Sequence, residues 1–201
     1  MSKELVLVLG GARSGKSAFA LKLAQEAGGR VLYVATAQPG DEEMRWRIAR
    51  HRRARPPSWR LLEEPLAVAQ ALARLLDDAD IVLLDCLTIW VSNLLLSALP
   101  EGVVRGRQEV DAAETAVEEA TAALLRCYCQ GNASFLVVSN EVGMGLVPGH
   151  PLGRLFRDVL GKANQRLAAR ADKVYLLLAG MAIDVKALET PARLLYLERF
   201  E

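Results

Sequence analysis

Cysteine is scarce in this 201-residue chain, with three residues, Cys86, Cys127 and Cys129. An odd count excludes a fully paired disulfide framework, and "CYC" lacks the two-residue gap of a zinc or thioredoxin-like pair. The three are expected to be small reduced core residues. No apolar stretch has the length that crosses a bilayer, about 20 residues. The first, "LVLVL" at 5–9, is interrupted by glycines and is too short for the apolar part of a signal peptide. A cytoplasmic chain with no membrane span is therefore expected. Aromatic residues make up 5%, and 25 Lys and Arg against 24 Asp and Glu leave a net charge of +1. That composition offers little base-stacking surface and no global field to draw in nucleic acid or a membrane. Histidine occurs twice, at His51 and His150.

The hydrophobic residues that are present fall into a pattern. Four runs rich in Val, Ile and Leu, at 5–9, 31–35, 81–84 and 135–138, lack polar alternation and read as buried parallel strands covered on both faces. A fifth candidate lies at 174–178, and 194–197 reads as a sixth, edge strand. Helical patterns fall between them at 16–26, 41–53, 65–76, 88–96, 110–129 and 152–171. Strand and helix alternate, which predicts an open α/β sheet, mainly parallel, with helices on both faces. No internal repeat or low-complexity tract occurs, and the length fits a single domain over 1–201. "PEGVVRG", after Leu99, breaks both periodicities and reads as a flexible loop.

"GGARSGKS" at 10–17 fits the G-x-x-x-x-G-K-[ST] phosphate-binding pattern, and it stands directly between a strand and a helix, the context the mechanism needs. Glycines at Gly10, Gly11 and Gly15 let the backbone of Gly10, Gly11, Ala12, Arg13, Ser14 and Gly15 curl so that N–H groups face phosphate oxygens, with a helix N-terminus behind them. Lys16 would reach the β and γ phosphates, and the Ser17 hydroxyl would ligate Mg²⁺. Asp85, closing the strand "IVLLD", is placed to hold the same ion or its water. It can equally cap the helix that follows. Asn140, Glu141, Gly143 and Gly145 follow the fourth strand, where open α/β sheets bind ligands, although an ordinary turn accounts for them too.

"RIARHRRARPPSW" at 47–59 packs five arginines around His51. On a helix over 41–53, Met44, Ile48 and His51 share one face, so His51 can be a core-edge histidine under solvated arginines. It can also be a nucleophile, because an imidazole nitrogen can attack phosphorus without a separate strong base. Attack on an α-phosphate would give a nucleotidyl-histidine and release pyrophosphate, with Arg47, Arg50, Arg52 and Arg55 neutralising the moving charge. Periodicity alone leaves both readings open.

Six blocks in order, "GGARSGKS", "VLYVATAQ", "DEEMRWRIARHRRARPPSW", "LLDCLTIWVSNLL", "VVSNEVGMGLVP" and "GKANQRLAARADKVYLLLAG", carry a resemblance. Together they resemble the bifunctional adenosylcobinamide kinase and adenosylcobinamide-phosphate guanylyltransferase family, from the first strand to Gly180. The resemblance implies a RecA-like P-loop fold and two reactions. In the first, the aminopropanol hydroxyl of adenosylcobinamide takes the γ-phosphoryl of ATP or GTP. In the second, GMP passes from GTP through a histidine to the new phosphate. The family's "H-R-x-x-R-P-x-x-W" context selects His51 as that histidine; Lys16, read from the phosphate loop, is the other residue expected to be catalytic. The resemblance also implies nucleotide contacts at Ala35, Thr36, Ala37, Arg52, Arg53, Ala54, Arg55, Glu63 and Asp85, with Mg²⁺ as cofactor. A homotrimer with active sites shared between neighbours is implied as well. His150, in a "PGHP" turn, has no counterpart in the pattern. The contrasting expectations are a plain kinase with no use for His51, an ATP-driven nucleic-acid binder that uses "RHRRAR" on phosphates, and a nucleotide-sensing module without turnover.

Overall fold

The runs of Val, Leu and Ile without polar alternation become the middle of a seven-stranded sheet. The computed structural model describes residues 2–99 and 102–188. Its strands are β1 (Leu5–Gly10), β2 (Val31–Ala35), β3 (Arg60–Glu63), β4 (Ile81–Asp85), β5 (Ser134–Val138), β6 (Lys173–Leu178) and β7 (Met181–Asp184). They lie in the order β3-β2-β4-β5-β1-β6-β7. All neighbours are parallel except β7, which runs antiparallel to β6. The helices are α1 (Lys16–Ala27), α2 (Glu42–Ala54), α3 (Val68–Leu72), α4 (Leu87–Ala98), α5 (Arg107–Gln130) and α6 (Pro151–Arg170).

Both faces are covered, as strands without alternation require. On one, Phe19, Ala20 and Ala24 of α1 pack on Val6, Val8 and Leu83. On the other, Trp90 of α4, Leu124 of α5 and Leu160 of α6 pack on Leu7, Val34 and Phe135. Trp90 is wholly buried, and its indole N–H donates to the Leu66 carbonyl at 2.8 Å, so its polar edge is satisfied inside the core.

Three features depart from the sequence reading. The helix expected over 65–76 shrinks to α3 and a 3-10 turn at Leu76–Asp78. Its first backbone amides are used elsewhere, because Leu66 and Ala67 both donate to the Glu64 carboxylate at 2.9 and 2.8 Å. β3 and β7 were not expected. β3 is a four-residue edge strand bounded by Arg60 and Glu63, too short and too polar to register as a run. β7 follows a two-residue hairpin in which Ala179 and Gly180 both have positive φ, 50° and 84°, the backbone that the tightest hairpins need. Cys127 is buried and Cys86 half-buried, but Cys129 is exposed and is not a core residue. The strand expected at 194–197 and the first two residues of the "PEGVVRG" loop lie outside the described residues.

Candidate active site

The carboxyl ends of β1, β2, β4 and β5 meet at one edge of the sheet, the place where parallel sheets hold ligands. β1 ends at Gly10 and α1 begins at Lys16, so 10–15 form a tight loop over the helix N-terminus. Gly10 has φ 152° and Gly15 has φ 97°. A Cβ at Gly10 would stand 2.6 Å from both the Leu177 carbonyl oxygen and Ser14 Oγ. Gly10→Ala must therefore push β6 or the loop aside. It is expected to lose about 2–4 kcal/mol in denaturant unfolding together with most nucleotide affinity.

The loop is tied to both neighbouring strand ends. Gly180 N–H donates to the Ser14 carbonyl at 3.0 Å, and Glu141 N–H donates to the Gly10 carbonyl at 3.1 Å. Lys16 is buried, and its Nζ donates to the Gly11 carbonyl at 2.6 Å. Burial holds its amine below the usual lysine value. The buried Ser14 hydroxyl has no hydrogen-bond partner, an orphaned polar atom inside a cradle of backbone amides that a phosphate oxygen would satisfy.

Asp85 joins this cradle to His51. Its side chain is 5% exposed. Oδ1 accepts from Ser17 Oγ at 3.2 Å, Oδ2 accepts from Tyr33 Oη at 3.0 Å, and Oδ2 lies 3.2 Å from His51 Nδ1. Burial and the adjacent carboxylate push the Tyr33 phenol far above its ordinary value, so Tyr33 stays a protonated donor. The capping reading of Asp85 is displaced, since α4 is preceded by Cys86 with no side-chain cap. Burial pushes the Cys86 thiol up to about 12, which keeps it from acting as a thiolate. Ser17 and Asp85 place two hard oxygen donors side by side at the phosphate end of the loop, a set that suits Mg²⁺ completed by phosphate and water.

His51 comes from α2, whose N-terminus is capped by Asp41 accepting from Met44 N–H at 2.7 Å. α2 buries no residue fully. Met44, Ile48 and His51 form its half-buried inner face, as the periodicity indicated, and at His51 that face meets Asp85. Engagement of Nδ1 leaves Nε2 as the free ring nitrogen on a side chain 34% exposed.

The arginines divide. Arg52 pairs with Glu63 at 2.9 Å, and the Arg55 guanidinium lies 4.7 Å over the Tyr33 ring. Arg47 is tied to Glu43 at 2.5 Å, and Arg50 lies over Trp46 at 5.0 Å, both contacts within α2. Arg53 bonds its own helix, to the Ala49 carbonyl at 3.4 Å, and Ala54, like Ala12 and Arg13, is exposed. Ala35 stands in register with both Asp85 and Glu63. Thr36 is fully buried and donates to the Cys86 carbonyl at 2.9 Å, with half-buried Ala37 next to it. His150 caps α6, its Nδ1 accepting from Gly153 N–H at 3.0 Å. Tyr33 was missed because a tyrosine in an apolar strand reads as core, and its only signal was a hydroxyl that needs a buried partner.

Loop, strand order and carboxylate define a nucleotide-binding enzyme of the P-loop α/β class. In fold, the chain is similar to a solved ATPase from the type III secretion system of pathogenic bacteria, with a TM-score of 0.54 and 10% identity over 94% of this chain; it spans 59% of that ATPase's chain. Residues 6–185 match the family "Cobinamide kinase / cobinamide phosphate guanyltransferase", and the chain belongs to this family of enzymes. The bifunctional adenosylcobalamin biosynthesis protein CobP of Pseudomonas aeruginosa is 43% identical over 90% of this chain and 96% of its own length. The CobU proteins of the same description from Salmonella typhimurium and Escherichia coli are 40% and 39% identical, each over 90% of this chain and 99% of their own.

Proposed function

We propose that this chain works in cobalamin biosynthesis and runs two phosphorus-centred transfers around Asp85, using ATP or GTP first as phosphoryl donor and then GTP as guanylyl donor. In the kinase step the hydroxyl oxygen of the aminopropanol arm of adenosylcobinamide attacks the γ-phosphorus, the bond to the bridging oxygen breaks, and the nucleoside diphosphate leaves. Lys16 and the loop amides hold the phosphates in line. Mg²⁺ held by Ser17 and Asp85 would neutralise phosphate charge.

In the second step His51 Nε2 attacks the α-phosphorus of GTP. A nitrogen–phosphorus bond forms, the α–β bridging bond breaks, and pyrophosphate leaves. The Asp85 carboxylate stabilises the imidazolium through Nδ1–H, the role an orienting carboxylate plays beside a nucleophilic or basic histidine. The phosphate oxygen of adenosylcobinamide phosphate then displaces His51, giving adenosyl-GDP-cobinamide. Arg52, Arg55 and Glu63 line the approach to this face. A single domain, a homotrimer and a cytoplasmic location accompany this reading.

The observation that carries it is the 3.2 Å approach of His51 Nδ1 to the carboxylate that also meets Ser17. The test is to incubate the protein with Mg²⁺ and GTP labelled at the α-phosphorus, then denature it. Acid-labile, base-stable label should remain on the protein. A protein that transfers the γ-phosphoryl group yet never retains α-label would overturn the histidine route.

A further inference from the structure

Between β5 and α6, residues 142–149 read "VGMGLVPG" and carry no ionisable side chain. Met144 is 82% exposed, Leu146 96% and Val147 66%. Three neighbouring apolar side chains held in water mark a binding surface rather than a packing element.

The loop that displays them is pinned at both ends. Glu141 N–H donates to the Gly10 carbonyl, and the Glu141 carboxylate accepts from Gly143 N–H. At the far end the Arg154 guanidinium donates to the carbonyls of Pro148 and Gly149 at 3.0 and 3.1 Å. The apolar tip is thus carried on a fixed base.

The position of β5 decides what this surface serves. β5 lies between β1 and β4, so its loop leaves the sheet between the phosphate cradle and Asp85. An acceptor that offers a hydroxyl to the γ-phosphorus from the β5 side carries the rest of its bulk past this loop. We propose that Met144, Leu146 and Val147 form the seat of the corrin ring of cobinamide, a substrate assignment that rests on the reading given under Proposed function. The ring presents broad methyl-bearing faces and a rim of uncharged carboxamides. A loop with apolar side chains, an exposed glycine at Gly145 and no charge to desolvate matches both.

The test uses the full-length double variant Met144→Ser, Leu146→Ser. Both side chains stand in solvent, so the fold is retained. The kinase reaction is followed with cobinamide as acceptor, and the KM for cobinamide should rise roughly 10–100-fold while the KM for ATP, α-label uptake from GTP without corrinoid, and the sedimentation coefficient stay at wild-type values. An unchanged KM for cobinamide overturns the assignment. A lowered sedimentation coefficient also overturns it and makes the loop a contact between copies of this chain. Because cobinamide KM is read in the kinase step, absence of α-label from the wild type would remove the histidine route without touching this result.

Discussion

His51→Ala will retain no label from GTP marked at the α-phosphorus, and its overall guanylyl transfer will fall by about 10⁴-fold or more, the scale on which loss of a nucleophile is felt. Phosphoryl transfer from ATP will stay within roughly tenfold of wild type, because Lys16, Ser17 and Asp85 remain in place and Tyr33 still donates to Asp85 Oδ2. The split matters more than either number. A histidine that merely packed α2 against the sheet would, on removal, loosen both reactions together. Covalent label surviving in the variant would move the nucleophile elsewhere. His150 is placed differently, its Nδ1 accepting from Gly153 N–H in capping α6.

Asp85→Asn should damage both activities, each by about 10²–10⁴-fold. The substitution removes the charge that would hold Mg²⁺ with Ser17. An amide there can still accept from Tyr33 and His51 and donate to the Ser17 hydroxyl, but it carries no charge to stabilise an imidazolium. Steady-state phosphoryl transfer and single-turnover α-labelling, measured on the same preparation, decide the matter. Loss of phosphoryl transfer with intact labelling would confine Asp85 to the metal and make its contact with His51 incidental.

Both predictions turn on residues that sequence revealed unequally. The phosphate loop was legible because its residues are consecutive and their flanks, a buried strand and a helix, announce the context. The central strands were legible because burial on both faces leaves an unbroken apolar run. Asp85 showed only as a charge at a strand end, and its choice between cap and ligand depended on where Ser17, 68 residues away, would lie. Tyr33 was hidden because its ring obeys the core pattern while its hydroxyl does the positioning. The arginines were the reverse case. Their clustering suggested joint action, but they are engaged separately, Arg47 with Glu43 and Arg50 with Trp46 on their own helix, Arg52 with Glu63 and Arg55 with Tyr33. β3 and β7 escaped because short edge strands owe their place to hydrogen-bonding neighbours more than to their own residues.

α2 buries no side chain fully, and its attachments to the sheet side are the Arg52–Glu63 pair, the His51–Asp85 contact and the Arg55–Tyr33 stack. A 13-residue helix is marginal without packing, and exposed ion pairs contribute little and less in salt. Its amide hydrogens will therefore exchange through local openings, whereas those of β1 and β4 await global unfolding. On the proposed histidine route, the nucleophile would ride on this lightly held helix. On that route its brief departure would let nucleotide enter and pyrophosphate leave, with the phosphate cradle and the sheet beneath it left undisturbed.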